Sequence, residues 1–318
     1  MKLVLPGRVR DQLAPRLSAI TPDSEVVWYE ENGEFDGNVA DAMVFMRWFV
    51  PPPLFANMIA AMPNLRWLHI PRAGVDGSLI PDVVQRDIIV TNSAGVHAIP
   101  ISEFVLMFML GHAKRSAELR NFQAAHTWRP REMQLQELAG KTLLIIGLGQ
   151  IGQAIAERAA AFGMHVIGTR RRPRPTPGVS EVLGDDGWRE RLVGADYVVI
   201  AAPLTAETRG MIGTAELAAM NPNGYLINIA RGEIVDEPAL IAALQNATIA
   251  GAALDVFAQE PLPAESPLWD LPNLTLTPHI SWSSPEIWPR TLGLFLENLR
   301  RYCAGEPLRN VVDKHAGY

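Results

Sequence analysis

Short apolar runs rich in Val, Ile and Leu alternate along most of the chain with longer stretches whose apolar positions recur every three or four residues. A parallel strand covered on both faces is apolar throughout, whereas a surface helix needs one apolar stripe, so this alternation predicts an α/β fold of parallel strands joined by crossover helices. In the first part, 2–5, 25–28, 41–46, 65–69 and 88–91 read as strands of a small doubly wound unit. A single long helix is expected over 100–124, with Glu103, Lys114, Arg115, Glu118 and Arg120 marking polar faces on an otherwise apolar cylinder. Such a helix belongs at a domain or subunit interface.

A second series begins with TLLIIG at 142–147, a glycine turn and a helix over 151–162. It continues through strands at 165–169, 197–200, 225–229, 249–254 and 274–277, a six-strand nucleotide-binding pattern. The last helical pattern, 288–303, has Leu292, Phe295, Leu296 and Leu299 on its apolar face and follows the end of that series. Assigning it to the first unit makes that unit discontinuous, with hinges near Val96 and Pro285. The expected domains are then 1–96 plus 286–318, and 97–285, with a ligand cleft between them.

Composition narrows the classes. With 318 residues and 48% of them hydrophobic, the chain can bury a full core. Acidic residues outnumber basic ones 34 to 28, so there is no general basic field and no nucleic-acid partner is expected. The one cysteine, Cys303, allows no internal disulfide, and the seven histidines show no close H-x-x-x-H pairing, so no metal site is expected. The N-terminus reaches Pro6, Gly7 and Arg8 too soon for a signal-peptide core. The apolar stretch 104–111 stops at His112, Lys114 and Arg115, short of a membrane span. A cytoplasmic protein with no membrane partner is expected.

Gly147, Leu148, Gly149, Gln150, Ile151 and Gly152 form G-x-G-x-x-G between a strand and a helix, the context in which this hexapeptide binds a dinucleotide. Gly147 permits the tight turn, Gly149 admits the pyrophosphate close to the backbone, and Gly152 lets helix and strand pack closely. An NAD site usually carries an acid about 20 residues on, for the ribose 2′-hydroxyl. This chain reads Gly168, Thr169, Arg170, Arg171, Arg172 there. Guanidinium groups suit a 2′-phosphate, so NADP is expected as the preferred cofactor, with NAD the alternative. The stretch 170–178, RRRPRPTPG, reads as a phosphate-binding patch or a solvated loop. Arg231, Glu260 and His279 each lie just past a predicted strand, at the sheet edge that faces a ligand.

Together with Ala73-Gly74-Val75-Asp76, Asn92, Ser102-Glu103-Phe104, Ala202-Pro203-Leu204-Thr205, Asn228-Ile229-Ala230-Arg231-Gly232, Asp255-Val256-Phe257, Glu260-Pro261 and Pro278-His279, these motifs resemble the D-isomer-specific 2-hydroxyacid dehydrogenases over nearly the whole chain. The segments ESPLWDLPNLTLTPH and VVDKHAGY look most like the glyoxylate/hydroxypyruvate reductase branch. The resemblance implies two doubly wound parallel-sheet domains, a flavodoxin-like substrate domain and a Rossmann cofactor domain. It implies hydride transfer between NAD(P)H and a small 2-keto acid, giving the D-2-hydroxy acid, by a homodimer.

It further implies His279 as the acid/base, Glu260 as its partner, and Arg231 on the substrate carboxylate with the backbone N–H groups of Gly74 and Val75. Pro203, Ala230 and Asp255 match cofactor-contacting positions, Asp255 near the nicotinamide carboxamide. Met46, Arg47, Trp48, Trp282 and Trp288 are expected to wall a small pocket, unless the tryptophans are ordinary core residues. Arg47 or Arg72 is a candidate for a second anionic group of the substrate. The competing readings are a dinucleotide-sensing binding protein of the corepressor type and a dehydrogenase for a bulkier 2-keto acid.

Overall fold

The computed structural model describes residues 1–75, 77–128, 133–184 and 186–316. Asp76 of the AGVD motif, and Gly317 and Tyr318 of the C-terminal one, lie outside them. The chain divides into two compact units, Met1–His97 with Ser284–Tyr318, and Ala98–Ser283.

The first unit holds five parallel strands, β1 (Lys2–Pro6), β2 (Glu25–Tyr29), β3 (Val44–Met46), β4 (Trp67–Ile70) and β5 (Ile89–Asn92), in the order β2-β1-β3-β4-β5. This is the flavodoxin-like order, with its reversal between β1 and β3. Helices α1 (Arg10–Leu17), α2 (Pro52–Ala60) and α3 (Pro81–Gln85) connect the strands, α2 and α3 each opening on proline, whose missing N–H is harmless in a first turn. The final helix of the chain, Ile287–Ala304, turns Leu292, Phe295, Leu296 and Leu299 into this unit's core. Trp67 stacks on its Phe295 at 5.3 Å and on its Tyr302 at 5.5 Å. The tail beyond it returns to the sheet, where Val311 bridges Thr91 and Lys314 Nζ donates to the Val83 and Arg86 carbonyls.

The second unit opens with α4 (Ala98–Ala113) and α5 (Ser116–Ala124). The helix expected over 100–124 is therefore two. Arg115 sits at φ 51, in the left-handed region, and breaks the hydrogen-bond ladder between them. Seven parallel strands follow: β6 (Thr142–Ile146), β7 (His165–Thr169), β8 (Glu181–Leu183), β9 (Tyr197–Ile200), β10 (Tyr225–Asn228), β11 (Gly251–Leu254) and β12 (Leu274–Leu276). Their order is β12-β11-β10-β9-β6-β7-β8. This is the Rossmann arrangement with its reversal between β6 and β9. The six-strand expectation missed β8, a half-buried edge strand of three residues without an apolar run. Helices α6 (Gln150–Ala161), α7 (Thr214–Ala219) and α8 (Glu237–Gln245), with α4, cover the faces. Alternate strand residues serve opposite faces: Leu144 and Ile146 pack with Val198 and Leu226, whereas Leu143 and Ile145 pack with Val199 and Ile227. Burial on both sides is why these strands are apolar throughout.

Candidate active site

The site is built at the carboxyl edge of the second unit's sheet. At the end of β6, Gly147 has φ +105, and a Cβ there would lie 2.8 Å from the Ala201 and Ala202 backbone beyond β9. The turn thus fills the point where the strand order reverses. A Cβ on Gly152 would lie 2.1 Å from the Gly147 carbonyl oxygen, so only glycine lets α6 start this close to the strand. A Cβ on Gly149 would meet nothing within 4 Å, which leaves the backbone at the N-terminus of α6 open to approach. Gly147 N donates to Thr169 Oγ1 (3.1 Å) and Leu148 N to the Thr169 carbonyl (2.6 Å), fixing the turn to the end of β7. Open N–H groups at a helix start, beside a glycine cradle at a switch point, fit a pyrophosphate.

The arginines follow directly. Arg170 N pairs with the Leu183 carbonyl of β8, and its buried Nη1 has no hydrogen-bond partner among the described residues. Burial first, and the like charge of Arg174 second, hold its guanidinium below the ordinary range. A bound anion would relieve both conditions.

Arg231 follows β10 in extended backbone, and its Nη1 donates to the Ala230 carbonyl at 2.7 Å. Asn228, fully buried, holds this turn: its Nδ2 donates to the Arg231 carbonyl (2.9 Å) and its Oδ1 accepts from Ala230 N (3.0 Å). Gly232 packs against the next turn so tightly that a Cβ would lie 1.9 Å from the Phe257 carbonyl carbon. Past β11, Glu260 Oε1 accepts from Phe257 N (3.0 Å), and Oε2 meets His279 Nδ1 at 2.7 Å. A carboxylate only accepts, so Nδ1 carries the proton and Nε2 is left for another partner.

His279, past β12, sits at φ 51. Asp255 holds it there: its Oδ1 accepts from Thr277 Oγ1 (2.6 Å) and Ile280 N (2.9 Å), and its Oδ2 from Ser281 N (3.0 Å). The resemblance placed Asp255 near the nicotinamide; the structure engages both its oxygens in the loop that carries His279. Trp282 Nε1 donates to the His279 carbonyl at 2.9 Å, so this indole lies beside the histidine. Pro203 is exposed past β9, where its carbonyl accepts from Thr208 Oγ1 at 2.7 Å.

The expected residues of the first unit form their own group. Gly74 and Val75 lie in a loop held by Asn92 Nδ2 on the Ala73 carbonyl (2.7 Å) and Ser93 N on the Arg72 carbonyl (2.9 Å). Beneath it, fully buried His69 places Nδ1 2.9 Å from Thr91 Oγ1 and Nε2 3.2 Å from Ser93 Oγ. Trp48 is buried and stacks on Trp288 at 4.3 Å, so these two rings are engaged in the unit's interior. Arg47 is 3% exposed, and its two terminal nitrogens are turned onto Gly77, Ser78 and Val50. Asn228 was missed as a site residue, although its position three residues before Arg231 carried the signal.

A glycine cradle at a switch point, an open helix start and a carboxylate-held imidazole on the same sheet edge define a dinucleotide-dependent oxidoreductase. The sequence profile of "D-isomer specific 2-hydroxyacid dehydrogenase, NAD binding domain" matches residues 106–281. A glyoxylate reductase from Korarchaeum cryptofilum is 35% identical over 86% of this chain and 83% of its own length. A D-isomer specific 2-hydroxyacid dehydrogenase from Xanthobacter autotrophicus, solved with NADPH and MES, superposes with a TM-score of 0.87 at 34% identity, covering 100% and 99% of the two chains. An NADPH-dependent glyoxylate/hydroxypyruvate reductase from Sinorhizobium meliloti, solved with NADP and sulfate, gives 0.84 at 29% identity, covering 100% and 99%. The chain belongs to the D-isomer specific 2-hydroxyacid dehydrogenases. Among the described residues no helix is long and apolar enough to cross a membrane, and no group of three His, Cys, Asp or Glu side chains is placed to hold a metal ion.

Proposed function

We propose that the protein reduces a small 2-keto acid of the glyoxylate/hydroxypyruvate type to the D-2-hydroxy acid, with NADPH as the preferred cofactor. The observation that carries this reading is the 2.7 Å contact between Glu260 and His279 Nδ1 on the edge that bears the glycine cradle. The reduced nicotinamide, when bound, supplies the hydride that the carbonyl carbon accepts. His279 gives the proton from Nε2 to the carbonyl oxygen, and Glu260 keeps the ring oriented while it does so. Arg231 binds the carboxylate and polarises the keto group through its planar fork of donors. The amides of Gly74 and Val75, which donate to no acceptor among the described residues, are open N–H donors of the first unit that suit an anionic group. Trp282 beside His279 favours a short substrate side group.

NADP is favoured over NAD because Arg170 and Arg171 stand where an NAD site carries an acid, and Arg170 Nη1 is buried without a hydrogen-bond partner among the described residues. Met107 (48% exposed) and Ile99 (40%) on α4 and Leu119 (39%) on α5 leave apolar surface that a second copy of the chain covers in a homodimer. The exposed thiol of Cys303 suits a reducing cytoplasm.

The test is a kcat/KM series over glyoxylate, hydroxypyruvate, pyruvate, phenylpyruvate and oxaloacetate with both reduced cofactors. An optimum at glyoxylate or hydroxypyruvate with NADPH is expected. An optimum at phenylpyruvate refutes the small pocket, and equal or better efficiency with NADH refutes the role of the arginines. Sedimentation showing a stable monomer at micromolar concentration removes the dimer.

A further inference from the structure

Asparagine side chains of the first unit connect the final helix, in series, to the loop that carries Gly74 and Val75. Asn298, fully buried on the helix Ile287–Ala304, clasps Arg309: its Nδ2 donates to the Arg309 carbonyl (3.0 Å) and its Oδ1 accepts from Arg309 N (2.8 Å). Asn310 follows at φ 56, a left-handed backbone that asparagine tolerates better than most residues. Its carbonyl accepts from Asn92 N (3.1 Å), and its Nδ2 donates to the Ala94 carbonyl (2.8 Å) and the Asn92 carbonyl (3.3 Å). Asn92 ends β5 and is buried. Its Nδ2 donates to the Ala73 carbonyl (2.7 Å), and its Oδ1 accepts from Ala94 N (3.1 Å).

Backbone pairing already ties the tail to β5, where Val311 bridges Thr91 and Val312 N donates to the Val90 carbonyl (2.8 Å). The Asn310 side chain reaches beyond that pairing, onto the segment 92–94. This is the segment from which the loop is held: Asn92 Nδ2 takes the Ala73 carbonyl, and Ser93 N donates to the Arg72 carbonyl at 2.9 Å. Directly after the two held carbonyls come the Gly74 and Val75 amides. A residue of the tail therefore fixes the strand end that sets the direction of this loop.

We propose that Asn310 is a positioning residue for the substrate, presetting through Asn92 the loop whose Gly74 and Val75 amides take an anionic group of the 2-keto acid. This rests on the reading above that these amides suit such a group. Donors held in place bind an anion more tightly than mobile ones, because the loop is ordered before the anion arrives. By linkage, an anion bound at the loop tightens the Asn310 clasp by the same factor. A contact that only supports the fold has no such coupling.

Asn310→Gly removes the side-chain donors while keeping the left-handed backbone and the carbonyl that accepts from Asn92 N. Val27→Ala is the control: Val27 is buried in β2, at the opposite edge of the sheet from β5, and its truncation destabilises the unit without touching the series. The readouts are KM and kcat for glyoxylate, the inhibition constant of oxalate as a two-carbon anion, and the dissociation constant of NADPH. Asn310→Gly should raise KM and the oxalate constant by roughly fivefold or more, with kcat changed by less than about threefold and NADPH binding unchanged. Val27→Ala should leave all four within about twofold. Asn92→Ala breaks the series nearer the loop, so adding Asn310→Gly to it should raise KM by less than about twofold more. In the wild type, saturating oxalate should slow hydrogen exchange at the Asn92 amide by roughly fivefold.

The proposal is overturned if Asn310→Gly leaves KM and the oxalate constant within about twofold, if Val27→Ala raises them as much, or if the effects of Asn310→Gly and Asn92→Ala multiply in full. If Asn310→Gly does not fold, the exchange measurement on the wild type decides, and an Asn92 amide indifferent to oxalate overturns the proposal. A wild-type protein that neither turns over a 2-keto acid nor binds oxalate overturns the proposed function, and this inference with it. Turnover and oxalate binding in the wild type, with Asn310→Gly unchanged in both, overturn the role of Asn310 alone.

Discussion

His69 links the acid stability of the first unit to the loop that carries Gly74. The ring is fully buried, held between the hydroxyls of Thr91 and Ser93, with Trp67 Nε1 also donating to Thr91 Oγ1 at 2.8 Å. Burial lowers its pKa to about 3, so it stays neutral in the folded protein where an unfolded histidine is protonated. The unfolded chain then binds more protons at any pH between the two values, and stability falls as the pH drops below about 6.5. With those values, lowering the pH from 7 to 5 removes about 2 kcal/mol, and the loss approaches about 5 kcal/mol near pH 3, below which it stops growing.

The perturbation is His69→Gln, which keeps a donor and an acceptor between the same hydroxyls and cannot titrate. The assay is urea unfolding at pH 7 and pH 5, followed by circular dichroism and tryptophan fluorescence. The variant starts less stable at pH 7, but its loss between the two pH values is smaller than that of the wild type by about 2 kcal/mol. Carboxylates and the other histidines titrate in both proteins and cancel in the difference. Parallel losses would show that His69 is protonated in the folded state, and the burial argument would fail.

Three further outcomes are expected. His279→Ala and Arg231→Ala should each lower kcat/KM for 2-keto acid reduction by about a hundredfold or more while NADPH still binds; retained activity in either removes that residue from the chemistry. Glu260→Gln should lower kcat by about tenfold or more with NADPH binding unchanged, because the amide holds the His279 ring less firmly than the carboxylate that meets Nδ1 at 2.7 Å. An unchanged kcat would confine Glu260 to its hydrogen bond with Phe257 N. Arg170→Asp with Arg171→Ala should narrow or reverse the NADPH preference, measured as the ratio of kcat/KM for the two cofactors, and an unchanged ratio would place the 2′-phosphate elsewhere.

Most of the second unit was readable because its chemistry sits where strands end. The run TLLII before G-x-G-x-x-G reads as a buried strand entering a glycine turn, and Arg231, Glu260 and His279 are polar residues in the loops that follow strands. The parts that were not readable depend on contacts between distant residues. Nothing in the apolar periodicity of 98–124 announces that Arg115 adopts a left-handed backbone, since the residue alone does not require it. The strand β8 carries no apolar run and owes its existence to pairing with β7. The burial of Arg47 was hidden for the opposite reason: an arginine beside two aromatic residues looks like a binding-site cation, and only the fold shows that its donors turn inward.

The helix Ile287–Ala304, on which Trp67 stacks, has a consequence for synthesis. The first strands leave the ribosome ahead of the second unit, but the helix that covers them is made only after that entire unit. Translation proceeds at roughly 5–20 residues per second, so the interval is many seconds, long compared with the folding of a small domain. The second unit therefore completes itself while the first waits with the face around Trp67 uncovered, a state that invites chaperone capture and aggregation. A nascent chain arrested before Ser284 should be protease-resistant over 98–283 and cleaved within 1–97, with protection spreading to the N-terminal strands only once the last helix has emerged.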